Sequence, residues 1–193
     1  MKRVIFLSLL LLASPAMAQF SESYSFLKAV RDRDGIKAQE FISKPGTVII
    51  DTKDNTTGET ALHIVTRARD INWMAFLLAR NAKTDLRDGR GNTALLITAE
   101  LGFVAGAELL IKKRASVHIA NSAGETPLIR AVQRRDTAMV RLLMGNGANP
   151  DKPDTSAGLS ARDYATRDRR AAAVLRIIED TKSAKPATAG PKL

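Results

Sequence analysis

The chain has 193 residues, a formal net charge of +10 and no cysteine. The missing cysteine excludes disulfides and lipid attachment through a cysteine, and an aromatic content of 5% offers few platforms for stacking nucleic-acid bases. We therefore expect no nucleic-acid partner. The excess of 30 Lys and Arg over 20 Asp and Glu favours instead an acidic partner or an anionic surface.

Residues 1–18 have the pattern of a cleavable secretory signal. Lys2 and Arg3 precede an uncharged apolar run over 4–13, and the small residues at 16 and 18 suit cleavage after Ala18. The alternative is an N-terminal membrane anchor, but the run is shorter than the roughly 20 residues of a spanning helix. We predict export to the bacterial periplasm as a protein that begins at Gln19.

One block of sequence recurs three times at a spacing of 33 residues. A Leu-Leu or Phe-Leu pair and an alanine follow each copy at fixed distances. A period of this length is typical of a linear array in which each unit buries its apolar face against its neighbours. The copies are Gly58-Glu59-Thr60-Ala61-Leu62, Gly91-Asn92-Thr93-Ala94-Leu95 and Gly124-Glu125-Thr126-Pro127-Leu128.

At these residues the chain resembles the ankyrin repeat family, whose pattern runs Asp-x-x-Gly-x-Thr-Pro-Leu-His-x-Ala-Ala and ends on Leu-Leu and a Gly-Ala-Asp turn. The resemblance covers roughly 24–180. It implies an all-α solenoid of helix-turn-helix units within a domain over 19–181. We expect full repeats at 55–87, 88–120 and 121–153, and degenerate caps at about 24–54 and 154–181. The basic segment 182–193 is predicted to be a disordered tail.

The residues that open each unit have a physical reason to recur. The hydroxyls of Thr60, Thr93, Thr126 and Ser160 stand where a side chain caps a helix N-terminus, and Pro127 takes the first helical position. In the last unit Arg162 replaces a repeated leucine, which suits a cap that meets water.

The turn that ends each unit requires a left-handed backbone. Gly147 supplies this conformation freely and Asn81 tolerates it, whereas the remaining copy, repeat 88–120, offers Arg114. A non-glycine residue in this conformation costs about 1–3 kcal/mol. We therefore predict that Arg114→Gly stabilises the protein.

The chain lacks an evident catalytic set. It has two histidines, no cysteine, no phosphate-binding glycine loop and no paired-ligand spacing, so we predict no enzyme activity, no cofactor and no metal site. His63 occupies the histidine position of the repeat pattern, where the resemblance implies a structural hydrogen bond to the helix start of its own or a neighbouring unit. A role as metal ligand is the alternative.

Binding is what the resemblance implies, through a concave face made by the turn tips and the first helix of each unit. Side chains on this face vary between units while core residues repeat, which is compatible with an asymmetric binding surface and also with drift. Leu101 either anchors a partner or folds back on its own unit, and Phe103 is assigned to packing. The candidate partner-binding residues are Arg67, Arg90, Asn92, Glu100, Leu101, Glu125, Gln133 and Arg134.

Three functions from different classes remain open on the sequence. The first is a periplasmic, monomeric protein-interaction module that binds a protein partner through the concave face. The second is a basic protein that binds an anionic envelope surface, either phospholipid or lipopolysaccharide, through its basic face and tail. The third is an enzyme with an unfamiliar site.

Overall fold

The computed structural model describes residues 15–183, with side chains over 22–180. Of the predicted signal at 1–18, residues 1–14 lie outside the described residues, and 15–18 form the beginning of the first helix. Of the predicted tail at 182–193, residues 184–193 lie outside the described residues, and 182–183 end the last helix rather than being disordered. Within that range the chain forms helices, and the one strand-like feature is an isolated bridge between Lys53 and Thr60. The helices are α1 (Pro15–Arg31), α2 (Gly35–Ile42), α3 (Ala61–Arg67), α4 (Ile71–Leu78), α5 (Ala94–Leu101), α6 (Val104–Lys112), α7 (Pro127–Gln133), α8 (Thr137–Gly145), α9 (Ala161–Arg167) and α10 (Ala172–Ser183).

The helices form five antiparallel pairs that stack in chain order. The first helix of each pair packs against the first helix of the next unit, and α4, α6, α8 and α10 pack in the same way in a second layer. The prediction of an all-α solenoid of helix-turn-helix units is therefore confirmed. The predicted repeats at 55–87, 88–120 and 121–153 each contain one such pair.

The first helix of each unit is called the inner helix here. Four of the inner helices begin directly after a hydroxyl residue, as predicted from the sequence. Thr93 Oγ1 accepts a hydrogen bond from the Leu96 N–H at 3.3 Å, Thr126 Oγ1 accepts one from the Ile129 N–H at 3.2 Å, and Ser160 Oγ accepts one from the Asp163 N–H at 3.2 Å. Each hydroxyl satisfies an N–H group that has no partner inside the helix. Pro127 lies in the first turn of α7, where its missing N–H has no cost.

Most second helices begin at an aspartate. Asp34, Asp70 and Asp136 each accept the N–H of the residue three positions later, at 2.9–3.1 Å. The third unit differs, because Phe103 occupies the position that precedes α6. Its ring is 8% exposed and lies against Gly106, so the prediction that Phe103 serves packing is confirmed.

A continuous apolar core runs through all the units. Leucine and alanine at the repeated positions fill it, and the leucines that follow each cap are at most 2% exposed. Each helix-turn-helix unit contacts only the units on either side of it. The buried apolar contacts are therefore local, and the core has no single centre. The buried leucines at the repeated positions are Leu62, Leu95, Leu128, Leu77, Leu110 and Leu143.

The ends of the array depart from the repeat. Between α2 and α3 the longer loop contains a 3-10 turn at Ile49–Asp51, which packs Ile49 into the core. In the last unit Arg162 is half-buried, and its Nε donates to Asp151 Oδ1 at 2.6 Å. No helix within 15–183 is long and apolar enough to cross a bilayer.

Arg114 has a φ of 65°, which confirms the left-handed backbone expected at the end of this unit. Asn81 and Gly147, at the equivalent positions, have φ values of 63° and 84°. The sequence did not reveal a second set of left-handed residues in the turn between the two helices of a unit. The left-handed conformation in this turn is adopted by three arginines with φ between 55° and 61°: Arg33, Arg69 and Arg135.

Candidate partner-binding face

Four turn tips project from one edge of the array and form a backbone ladder. The N–H of Gly89 donates to the Thr57 carbonyl at 2.9 Å, Ser122 donates to Arg90 at 3.1 Å, and Thr155 donates to Ala123 at 3.0 Å. Each tip is thus held by the tip before it. Side chains on the tips are presented from a fixed backbone.

An Asp or Asn at the base of each tip organises the turn. The Oδ1 atoms of Asp54, Asp88, Asn121 and Asp154 each accept at least two backbone N–H groups of the tip, at 2.7–3.1 Å. These bonds hold the pKa of Asp54 at about 2, with the Thr57 N–H as the largest cause and the Arg31 guanidinium as the next. Apart from their place in the repeat, no pattern in the sequence distinguishes these residues.

His63 joins the second unit to the third. Its Nδ1 accepts the Thr60 N–H at 3.1 Å and lies 2.8 Å from Thr60 Oγ1, while Nε2 lies 3.0 Å from the Asn92 carbonyl oxygen. Because Nδ1 accepts a backbone N–H, the ring is neutral and its proton is on Nε2. The side chain is 1% exposed, and burial lowers its pKa below the ordinary value. The structural interpretation of His63 is therefore confirmed.

Arg67 lies in a compact charge cluster rather than free on the surface. Its Nε donates to Glu59 Oε1 at 2.5 Å, and its Nη2 donates to Asp88 Oδ2 at 2.8 Å across the unit boundary. Burial opposes the charge, but the two carboxylates raise the pKa of the guanidinium above its ordinary value. Burial alone would raise the pKa of Asp88. The hydrogen bonds that its carboxylate accepts from Asn92 and Arg90 outweigh burial and lower the pKa.

A second cluster forms around Arg130, which is not among the predicted binding residues. Its Nη1 donates to Glu125 at 3.2 Å and to Gln133 at 3.3 Å, and its Nη2 donates to Glu100 at 3.2 Å. Arg130 stands where the other repeats have Ile64 and Ile97. The replacement of a repeated isoleucine by arginine was the signal in the sequence that could have identified it.

A third cluster lies at the end of the concave face, in the last unit. The Tyr164 hydroxyl donates to Asp154 Oδ2 at 2.7 Å, and Gln133 also interacts with this hydroxyl. The bond to Asp154 raises the pKa of Tyr164. The three clusters therefore leave few carboxylates or guanidiniums on the inner helices without a partner in the protein itself.

The predicted binding residues do not form one equivalent set. Arg90 and Arg134 are exposed, Glu100, Glu125 and Gln133 are half-buried within the Arg130 cluster, and Arg67 is held by its own cluster. Two of the predicted residues are less accessible than a binding residue on the surface would be. Asn92 is 4% exposed because its amide is bonded to Asp88 and Asn121 inside the face. Leu101 is half-buried and packs against the core, as in the folded-back alternative.

The described residues contain no group of three or more His, Asp or Glu side chains placed to hold a metal ion. His118 is exposed in the connection between the third and fourth units. The groups that the concave face presents in its three clusters are hydrogen-bonding and charged side chains.

The paired helices, the stacked tips and the capping histidine define a solenoid of helix-turn-helix repeats. The family model described as ankyrin repeats (3 copies) matches residues 27–121 and 72–154. The chain belongs to the ankyrin repeat family. Ankyrin repeats generally mediate protein-protein interaction and are typically non-catalytic.

Two curated relatives are similar over the repeat region. A putative ankyrin repeat-containing protein of Treponema pallidum (strain Nichols) is 39% identical over 109 residues, which is 56% of this chain and 36% of that protein. The calmodulin-binding transcription activator CBT of Oryza sativa subsp. japonica is 26% identical over 162 residues, which is 81% of this chain and 17% of that protein. The chain thus matches a minor part of the length of each relative.

Proposed function

We propose that this chain is a non-catalytic protein-interaction module of the bacterial periplasm, and that it holds a protein partner on its concave face and turn tips. This proposal is supported by a repeated backbone that presents different side chains at one equivalent position of the inner helices. Seven residues after each helix cap the face carries Arg67, then Glu100, then Gln133. A positive, a negative and a neutral group follow one another on helices that otherwise repeat.

The frame is rigid where the side chains are presented, which supports binding. The tip ladder and the two arginine clusters fix the backbone and the inner helices before a partner arrives. A preordered surface loses less conformational entropy on association than a mobile one. Specificity then depends on the exposed tip residues and on the half-buried polar groups of the fourth unit.

The location is proposed from residues 1–18 alone. The apolar residues that α1 contributes to the core, Phe26, Leu27, Ala29 and Val30, all follow the predicted cleavage position. Cell fractionation with N-terminal sequencing tests this part. A periplasmic product that begins at Gln19 supports export, and a cytoplasmic product that retains Met1 contradicts it.

The binding test uses crosslinking capture from periplasmic extract with protein that begins at Gln19. The groove variant combines Arg90→Ala, Glu100→Ala and Gln133→Ala, which avoids Arg67 because its loss would leave the buried Asp88 carboxylate unpaired. The matched control combines Glu108→Ala, Lys112→Ala and Arg141→Ala, all exposed on the outer helices.

We expect wild-type protein and the control to capture the same discrete partner and the groove variant to lose it. Circular dichroism checks that all three proteins are folded. Equal capture by all three folded proteins would contradict the use of this face.

A further inference from the structure

The turns between the two helices of each unit line one edge of the array, and their charge is uneven. We define this turn edge as residues 31–34, 67–70, 100–103, 133–136 and 166–170. Its first three turns carry four arginines and four acidic residues, whereas its last two carry five arginines and two aspartates, a formal charge of +3. The excess charge is thus concentrated at one end.

The last two turns lie side by side. Arg135 Nε donates to Asp168 Oδ2 at 2.5 Å, and the helices on both sides of these turns pack in pairs. Of the other four arginines in these two turns, three are exposed and have no ion pair within 4.0 Å among the described residues: Arg134, Arg167 and Arg169. The side chain of Arg170 is 78% exposed and lies 3.7 Å from Asp168.

The two aspartates are already engaged. Asp136 Oδ1 accepts the Met139 N–H at 3.0 Å, and Asp168 Oδ1 accepts the Arg170 N–H at 3.0 Å. Both serve as caps, and Asp168 pairs with Arg135 and Arg170, so the two carboxylates offset only part of the charge of the five guanidiniums.

Stability of the fold does not account for Arg169 and Arg170. They lie in the short 3-10 turn Arg169–Ala171 that leads directly into α10, where the dipole of that helix disfavours positive charge. The equivalent pairs in the earlier units are uncharged: Gly35-Ile36, Ile71-Asn72, Val104-Ala105 and Thr137-Ala138. Two cations at an unfavourable position indicate a role outside the fold.

We propose that this arginine cluster, Arg134, Arg135, Arg167, Arg169 and Arg170, binds an acidic segment of the protein partner, one rich in Asp or Glu. This inference rests on the proposed function, because Arg134 directly follows Gln133 of the concave face and the two surfaces are continuous. Guanidinium groups bind carboxylates in a two-pronged geometry.

The apolar surface of the protein argues for a protein ligand over a lipid surface. The exposed large hydrophobic side chains among the described residues are Tyr24, Ile36, Val48 and Ile71, all in the first two units and distant from the cluster. Stable anchoring to a bilayer requires an apolar insertion besides the charge. The arginine cluster has no such neighbour within the described part of the chain.

The test measures binding of a fluorescein-labelled peptide of alternating glutamate and serine by fluorescence anisotropy. The edge variant combines Arg134→Ser, Arg167→Ser, Arg169→Ser and Arg170→Ser and keeps the Arg135–Asp168 bridge. Its charge-matched control combines Lys37→Ser, Lys112→Ser, Lys113→Ser and Arg141→Ser, which are exposed elsewhere.

We expect the edge variant to bind the peptide about tenfold more weakly or worse and the control to bind within about twofold of wild type. An equal loss in both variants would show a net-charge effect and overturn the proposal. The proposal would also be overturned if wild-type protein did not bind the peptide. The same holds if the wild-type protein, but not the edge variant, bound phosphatidylglycerol vesicles and neither bound the peptide.

The groove variant separates this inference from the proposed function. It should bind the peptide normally while it loses the partner in crosslinking capture. If the folded edge variant captures the partner as well as wild type does, the acidic-segment proposal fails and the groove proposal stands. If the groove variant keeps the partner, the groove proposal fails whatever the peptide result.

Discussion

The Nε2 atom of His63 lies 3.0 Å from the carbonyl oxygen of Asn92, 29 residues later in the chain. This bond ties the helix start of the second unit to the base of the third unit's tip. On the other side of the imidazole ring, Nδ1 of His63 accepts the Thr60 N–H at the N-terminus of α3. A neutral histidine satisfies both groups, whereas a protonated one would place a proton against the Thr60 donor.

The stability of the protein should therefore fall as the pH decreases through about 6.5. Burial lowers the pKa of His63 in the folded state from its ordinary 6.5, so below that pH the unfolded chain binds a proton that the folded chain does not. The free energy of unfolding then falls by up to about 1.4 kcal/mol per pH unit until the folded pKa is reached. Urea unfolding at pH 7.5 and at pH 5.5 measures this.

The exposed His118 provides the control for that measurement. His118→Gln should keep the loss of stability between the two pH values, and His63→Gln should remove most of it. An undiminished pH dependence in His63→Gln would assign the effect to other groups.

Arg67 and Asp88 should be energetically coupled. Their 2.8 Å bond has one partner with a side chain only 3% exposed, so solvent screens it less than it screens a surface pair. A double-mutant cycle with Arg67→Gln and Asp88→Asn should give a coupling energy of about 1–2 kcal/mol. The Arg170–Asp168 pair, at 3.7 Å and with Arg170 78% exposed, should give less than about 0.5 kcal/mol. Equal coupling in the two pairs would contradict this explanation.

Gly124→Ala should destabilise the protein more than Gly158→Ala. Both glycines have positive φ, 76° and 66°, so both variants incur a similar backbone cost. At Gly124 an added Cβ would also lie 2.4 Å from the Thr155 backbone nitrogen, whereas nothing lies within 4 Å at Gly158. We expect an additional loss of about 1–3 kcal/mol at Gly124 by chemical denaturation. Similar losses at both sites would mean that the tips are not closely stacked.

Arg114→Gly should raise the melting temperature. Arg114 is exposed, has φ of 65° and makes no ion pair among the described residues, so the substitution relieves backbone strain without loss of such a contact. Glycine also increases the entropy of the unfolded chain, which leaves a gain of about 0.5–1 kcal/mol, or about 1–4 °C. Thermal unfolding followed by circular dichroism measures it.

Arg135→Gly is the comparison for this prediction. Its φ of 58° is similar, but its Nε is bonded to Asp168 across the unit boundary. The variant should therefore gain less than Arg114→Gly or lose stability. A lower melting temperature for Arg114→Gly itself would show that its side chain contributes to stability.

The sequence by itself determined the class of fold, the starts of the inner helices and the interior. A fixed period, a hydroxyl before each inner helix and a Leu-Leu or Phe-Leu pair at a fixed position are local features. In a repeat array the contacts that matter are also local. The positions of Thr93, Leu95 and Arg114 could therefore be inferred without coordinates. So could the structural role of His63, because its position in the repeat pattern fixes its neighbours.

Only the tertiary structure decided which of the surface residues are available. Asn92 and Arg67 look like solvent-facing polar residues in sequence, yet the next unit brings Asn121 and Asp88 against them. Arg130 reads as an irregular core position, and its role becomes visible only when Glu100 approaches from the preceding unit. Polar pairing depends on the distances between side chains of different units, and neither periodicity nor composition encodes those distances.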